Sequence, residues 1–390
     1  MLKRLSILLW LVSLLVSCAK DGVAQDSPRR QVLLVYLGGD NDLGGEAREK
    51  LEALRNGWSG DARQRIVIYI DRAGAGSELF EVATANTGGN TLRAVGDYGD
   101  ENSASAAVFA RVITDVRRLY PADSYRLLVF SHATGWLPPG AFDDPYGFGR
   151  NTGNGKGQIP SSRAVIRDGD SWMELTDFAA AIPDGLFDCI VFETCFMAGV
   201  EVAYELRHKA PWILASSAEI VAPGFTPLYS TVQATLFADT PQELGEQAFR
   251  HVQTYSDYRN SATYSLIRTS ELEILADYVR RNCDPDRTVD VSGIQRFDRK
   301  RTHNLFFDFG DYYTRLLKPE ADPADLARII GACVSWKAAT PGFMNQQGGL
   351  GGFTIESHSG LTAYIPHEQF VDLNHRYRNL QWSAAIRGEQ

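Results

Sequence analysis

Five short runs of this chain are apolar at nearly every position: QVLLVYLG (31–38), RIVIYI (65–70), YRLLVF (125–130), FDCIVFE (187–193) and WILASS (212–217). A strand with one wet face alternates apolar and polar residues. Runs without that alternation belong to strands covered on both faces. The intervening segments carry helical spacing. Residues 44–56 read as a helix, and 104–119 place Val108, Val112, Ile113 and Val116 on one stripe. Residues 174–182 and 197–208 read as helices too. Strand and helix in this alternation predict an α/β fold, with a mostly parallel central sheet between helical layers.

Beyond about residue 240 the pattern turns more helical, over 241–257, 270–281, 304–317 and 322–337. Two late strand-like runs, 351–357 and 361–366, read as a hairpin around His358–Gly360. The expected organisation is a core over 31–270 and a C-terminal helical and hairpin region, 271–390, that completes it. Residues 135–171 are irregular and rich in Gly, Pro, Asp and Asn. A loop of that length within a compact domain is a candidate functional segment.

The chain has 390 residues and a formal charge of −9, and no basic run, which argues against nucleic acid as its partner. At the N-terminus Lys3 and Arg4 precede an apolar run from Leu5 to Val16, too short to span a bilayer. This is the pattern of a signal peptide over residues 1–17. The LVSC sequence ending at Cys18 resembles a bacterial lipobox. That resemblance implies lipid on Cys18, a tether over 18–30, and a protein exported and anchored by lipid to the bacterial cell envelope. Cys189, Cys195, Cys283 and Cys333 then remain, enough for two disulfides, although Cys189 lies in an apolar run and reads as a buried hydrophobe. No CxxC pair supports zinc or a redox motif.

Two strands end alike. LLVFSHATGW (127–136) runs into His132, and CIVFETCFMAG (189–199) runs into Cys195. In open α/β sheets ligands bind beyond the carboxyl ends of the strands. A thiol there can be activated by an imidazole and by the N-terminus of the following helix, which is what nucleophilic catalysis requires.

These two motifs, the latter continuing as DCIVFETCFMAGVEVAYEL, resemble the histidine and cysteine motifs of the clostripain-like peptidases, family C11 of clan CD, which also holds caspases and gingipains. VLLVYLGGDNDL (32–43) and GLTAYIP (360–366) extend the resemblance over most of the chain. It implies a caspase-like α/β/α sandwich and a His132–Cys195 dyad that cleaves peptides through a thioester. The backbone N–H groups of Ala133 and Cys195 would hold the oxyanion. Relatives commonly place Asp two residues before the cysteine to bind a P1 Arg or Lys. Glu193 stands there in this chain, with Glu219 as a second S1 carboxylate. Many relatives have Gly after the histidine. Alanine does not adopt a positive φ cheaply, so Ala133 and Glu193 also admit an alternative, a surface lipoprotein that binds peptides with impaired cleavage. Arg150, Lys156, Arg163 and Arg167 would be self-cleavage sites between the two motifs.

Asp40 and Asp42 of GGDNDLGG read as a turn and helix cap, since the spacing matches no phosphate loop. The carboxylates of RDGDSW (167–172) and DPDRTVD (284–290) match no EF-hand. No metal ligand set is assigned. Calcium stays an option only because some relatives respond to it. The other histidines show no ligand spacing.

Overall fold

Val32, Leu34 and Tyr36 of β1 (Gln31–Gly39) face one hydrophobic core, and Leu33, Val35 and Leu37 face another. Successive side chains of a strand point to opposite faces, so an unbroken apolar run is the mark of a strand covered twice. The computed structural model describes residues 29–148, 164–285, 287–345 and 351–389. Its further strands are β2 (Gln64–Arg72), β3 (Gly76–Thr84), β4 (Asn90–Gly99), β5 (Ser124–Phe130), β6 (Ile166–Asp168), β7 (Ser171–Met173), β8 (Phe187–Glu193), β9 (Trp212–Ser216), β10 (Thr263–Arg268), β11 (Phe307–Asp308) and β12 (Val334–Ala339). One nine-stranded sheet has the order β12-β10-β9-β8-β5-β1-β2-β3-β4. It is parallel from β9 to β2 and antiparallel at both edges.

Helix α1 (Gly44–Gly57) covers one face. It buries Ala47, Lys50, Leu51 and Leu54, a stripe at helical spacing. Helices α2 (Ala106–Leu119), α3 (Leu175–Ala181) and α4 (Val200–Glu205) cover the other, and α5 (Gln242–Val252) joins α1. After them α6 (Leu272–Asn282), α7 (Phe309–Leu316) and α8 (Pro323–Cys333) extend the layer opposite α1. The three-layer α/β/α sandwich is the one expected.

The differences are local. β3 and β4 lie in a stretch to which the sequence reading assigns no element, and β10 likewise. The helix expected over 322–337 stops at Cys333, and Val334–Ala339 instead pairs with β10 at the sheet edge. The helix expected over 197–208 is only Val200–Glu205. The late hairpin does not form. Phe353–Thr354 pairs with Gly342–Phe343, and Thr362–Ala363 pairs with β11, because the segment between them folds into the body and buries most of His358. Burial, with Lys337 nearby, pushes that imidazole down to about 3. Cys189, Cys195, Cys283 and Cys333 are all free thiols, so neither disulfide forms.

Glu201 of α4 is buried and its Oε1 accepts the Tyr364 N–H at 2.8 Å, tying the last strand to the segment after Cys195. Burial pushes its carboxyl up to about 7. A raised folded-state pKa gives stability that is complete below the unfolded value near 4.5 and is lost as pH rises through 7. Glu201→Gln keeps an acceptor but no charge. Thermal unfolding between pH 5 and 9 should therefore show the wild type losing up to about 3 kcal/mol that the variant retains. Parallel curves for the two proteins would refute this assignment.

Candidate active site at the ends of the parallel strands

The register of the sheet sets Leu37, Phe130 and Glu193 side by side, Leu37 beside Phe130 and Phe130 beside Glu193. His132 and Cys195 each lie two residues past that row, on neighbouring parallel strands. The chain leaves β1 for β2 on one side and reaches β5 on the other, so the strand order reverses here. That is where open α/β sheets form a crevice.

The two turns lock together. Gly135 has φ +62°, and a Cβ there would come within 2.8 Å of the Phe196 carbonyl oxygen, so the HATG turn needs its glycine. Phe196, next to Cys195, has φ +61°. This strained conformation is held by a ring stack on Phe306, centroids 4.4 Å apart, and by donation of its N–H to Ala218 O at 3.0 Å. Ala198 N–H donates to Ser216 O at 3.0 Å. Since α4 starts only at Val200, this turn separates Cys195 from the helix end expected to act on it. Ala133 is buried and is not among the residues with positive φ, so its backbone avoids the strain anticipated for alanine.

A cavity of about 310 Å³ is lined by His132, Cys195, Glu193, Ile220, Arg299 and Met344, among others. His132 is 7% exposed, and its Nε2 lies 2.8 Å from Asp42 Oδ1. Arg167 donates to the same oxygen at 3.1 Å. Partial burial works to raise the Asp42 carboxyl, but the hydrogen bond and charge of His132, with Arg167, hold it below the usual carboxylate range. Asp42 thus orients the imidazole rather than capping a helix. The sequence reading missed this role, although β1 and β5 being neighbours brings the two turns together. The Ile220 N–H points to Cys195 Sγ at 3.4 Å, a contact that strengthens as the sulfur gains negative charge.

The S1 candidates line the cavity, but neither carboxylate is open. Glu193 is 2% exposed. It pairs with Lys50 Nζ at 2.6 Å, accepts the Phe225 N–H at 2.6 Å, and takes the Tyr229 hydroxyl. Lys50 also lies 4.3 Å from the Phe130 ring centroid. The carboxylate expected to meet a basic side chain is therefore already compensated, by a lysine placed in the apolar stripe of α1. Glu219 is held by Arg299 through two hydrogen bonds of 2.8 and 2.7 Å. Glu46, half-buried on the rim, is pushed up by burial and by the nearby Glu193, although Lys50 opposes this. Arg167 sits on β6, while Cys18, Arg150, Lys156 and Arg163 lie outside the described residues. Among the described residues, neither His132 nor Cys195 belongs to a cluster able to hold a metal ion.

A model of the clostripain family, Peptidase C11, matches residues 35–285. No curated protein matches the sequence. Among solved structures, an inactive zymogen C11 protease from Parabacteroides distasonis is 28% identical, with a TM-score of 0.77 over 93% of this chain and 98% of its own. A secreted C11 cysteine protease from Bacteroides thetaiotaomicron, in complex with an irreversible peptide inhibitor, shares the fold at 24% identity. Its TM-score is 0.75 over 91% of this chain and 98% of its own.

The buried Lys50–Glu193 pair can be tested by unbalancing it. Lys50→Met alone leaves a carboxylate without its counter-charge and should cost about 3–5 kcal/mol in urea unfolding. Adding Glu193→Gln, which keeps the acceptor for Phe225 and Tyr229, should restore most of that loss.

Proposed function

This chain belongs to the clostripain family of C11 cysteine proteases, and on that premise we propose that Cys195 is the nucleophile and His132 the acid–base. The observation that carries the reading is that the two residues, each just past one of two adjacent parallel strands, line one cavity, with the His132 Nε2 paired to Asp42. Cys195 Sγ attacks the scissile carbonyl and forms a thioester. His132 gives its proton to the leaving amine and later takes one from the water that hydrolyses the thioester. Backbone N–H groups of Ala133 and Cys195 are the proposed oxyanion donors.

For the P1 residue we propose Arg or Lys, with Glu46 carrying more of the preference than sequence alone suggests. Glu46, Glu193 and Glu219 face Lys50 and Arg299 in the cavity lining, an excess of one carboxylate. Glu193 and Glu219 are paired, so the negative field of the cavity falls to Glu46. A cationic side chain would relieve the repulsion that raises it.

Self-cleavage between the motifs fits Arg150, Lys156 and Arg163 better than Arg167, whose guanidinium holds Asp42. Export and a lipid on Cys18 complete the proposal. Among the described residues no helix is long and apolar enough to cross a membrane.

Cys195→Ala and His132→Ala should abolish turnover of Arg- and Lys-P1 peptide reporters. Persistent peptide binding without turnover by the wild type would instead favour the impaired alternative. Asp42→Asn should lower kcat by about 10- to 100-fold with KM little changed, because it loosens the imidazole without touching the substrate. Glu46→Gln should act on KM, raising it for basic P1 reporters while a neutral-P1 reporter is unaffected. An equal loss on both reporters would remove Glu46 from S1.

A further inference from the structure

Asp40 in the turn after β1, Asp71 in the last turn of β2 and Asp168 at the end of β6 converge. One carboxylate oxygen from each lies within 4.8 Å of the others. Asp71 is 3% exposed; its Oδ1 accepts the Ser77 hydroxyl at 2.8 Å, whereas its buried Oδ2 has no hydrogen-bond partner among the described residues. The hydroxyl of Tyr69, a fully buried residue on which the charges of Asp71 and Asp168 act, has none either. Asp168 Oδ2 accepts the Ser103 N–H at 2.5 Å, which leaves its second oxygen for the cluster. Of the neighbouring cations, Arg72 pairs with Glu78, its buried Nε being left without a partner among the described residues, and Arg167 pairs with Asp42. Among the described residues these three carboxylates have no paired base, and with one orphaned, buried oxygen they lack a positive centre.

We propose that Asp40, Asp71 and Asp168 form a binding site for a divalent cation, with calcium as the best fit. Calcium takes oxygen ligands at about 2.4 Å, so the oxygens around one ion lie up to about twice that apart, a limit within which these three fall. Magnesium holds its ligands closer and in a stricter octahedron. Water would fill the remaining positions.

The ion would fasten a joint that is already half made. Gly169 N–H donates to Asp40 O at 2.7 Å, and Asn41 Nδ2 donates to Gly38 O at 3.0 Å and Arg167 O at 2.9 Å. Asp42, which pairs with His132, and Arg167, which donates to Asp42, are each close in sequence to this joint. Cation binding therefore stiffens the support of the imidazole. This consequence for turnover rests on the function proposed above; the binding itself does not.

The test uses the full protein carrying Cys195→Ala, so that proteolysis plays no part, stripped with a chelator and titrated with calcium chloride. Calorimetry should find one site, and the unfolding temperature should rise by about 3 °C or more at saturating calcium, and by less with magnesium. Asp71→Asn and Asp168→Asn, each confirmed as folded by circular dichroism, should lose both the heat and the rise. Absence of binding at about 10 mM calcium would overturn the site and leave Asp71 and Asp168 sharing a proton. A rise retained in both variants would overturn it too, by locating the ion elsewhere. Chelation of the active enzyme should lower kcat reversibly. Binding without that response would keep the site but break its link to His132.

Discussion

Parallel register is the constraint on which the rest of this molecule depends. Because β1, β5 and β8 run the same way and end on one row, the residues that follow them emerge at one edge of the sheet. Sequence separations of 90 residues between Asp42 and His132, and of 143 between Lys50 and Glu193, collapse to hydrogen-bonding distance there. Hydrophobic burial on both faces supplies the energy, at about 1.5–3 kcal/mol for each large apolar side chain. The register decides what that energy brings together.

The central strands were legible because double burial leaves an unmistakable trace, apolar residues at every position. The edges were not. β3 alternates, burying Ser77, Leu79 and Glu81 while Glu78 and Phe80 are half-exposed, so its pattern mixes charge with hydrophobicity. β12 follows α8 with no turn residue between them, and nothing local marks where helical spacing gives way to sheet pairing. Two short apolar runs around a glycine look the same whether they pair with each other or with distant partners, so the expected hairpin has no local signal against it. Pairing with β11 and with Gly342–Phe343 is a tertiary fact.

His132 and Cys195 were readable as strand-end residues with reactive side chains. Their supports were less so. Asp42 carried the signature of a turn, and only the adjacency of β1 and β5 turns it into a histidine partner. Lys50 did leave a mark, being a charged residue inside the stripe Ala47, Leu51 and Leu54. A lysine at a core position announces a buried counter-charge, and Glu193 is that partner. Glu193 lines the cavity, and its compensation by Lys50 is invisible in its own segment. Asp40 carries the signature of a turn, and the carboxylates around Asp168 match no ion-binding loop; neither segment suffices alone, and Asp71, hidden at the end of an apolar strand, joins them.

The bond network around Glu193 has a consequence for how recognition in this protein can change. Its carboxylate satisfies a lysine, a tyrosine hydroxyl and a backbone N–H at once, and Gly224 leaves no room for a Cβ beside it. Altering the floor of the cavity would thus disturb α1, β8 and the 224–229 turn simultaneously. Drift in selectivity, whether by natural divergence or by laboratory evolution, has its freer path at Glu46, which lines the same cavity without belonging to that bond network.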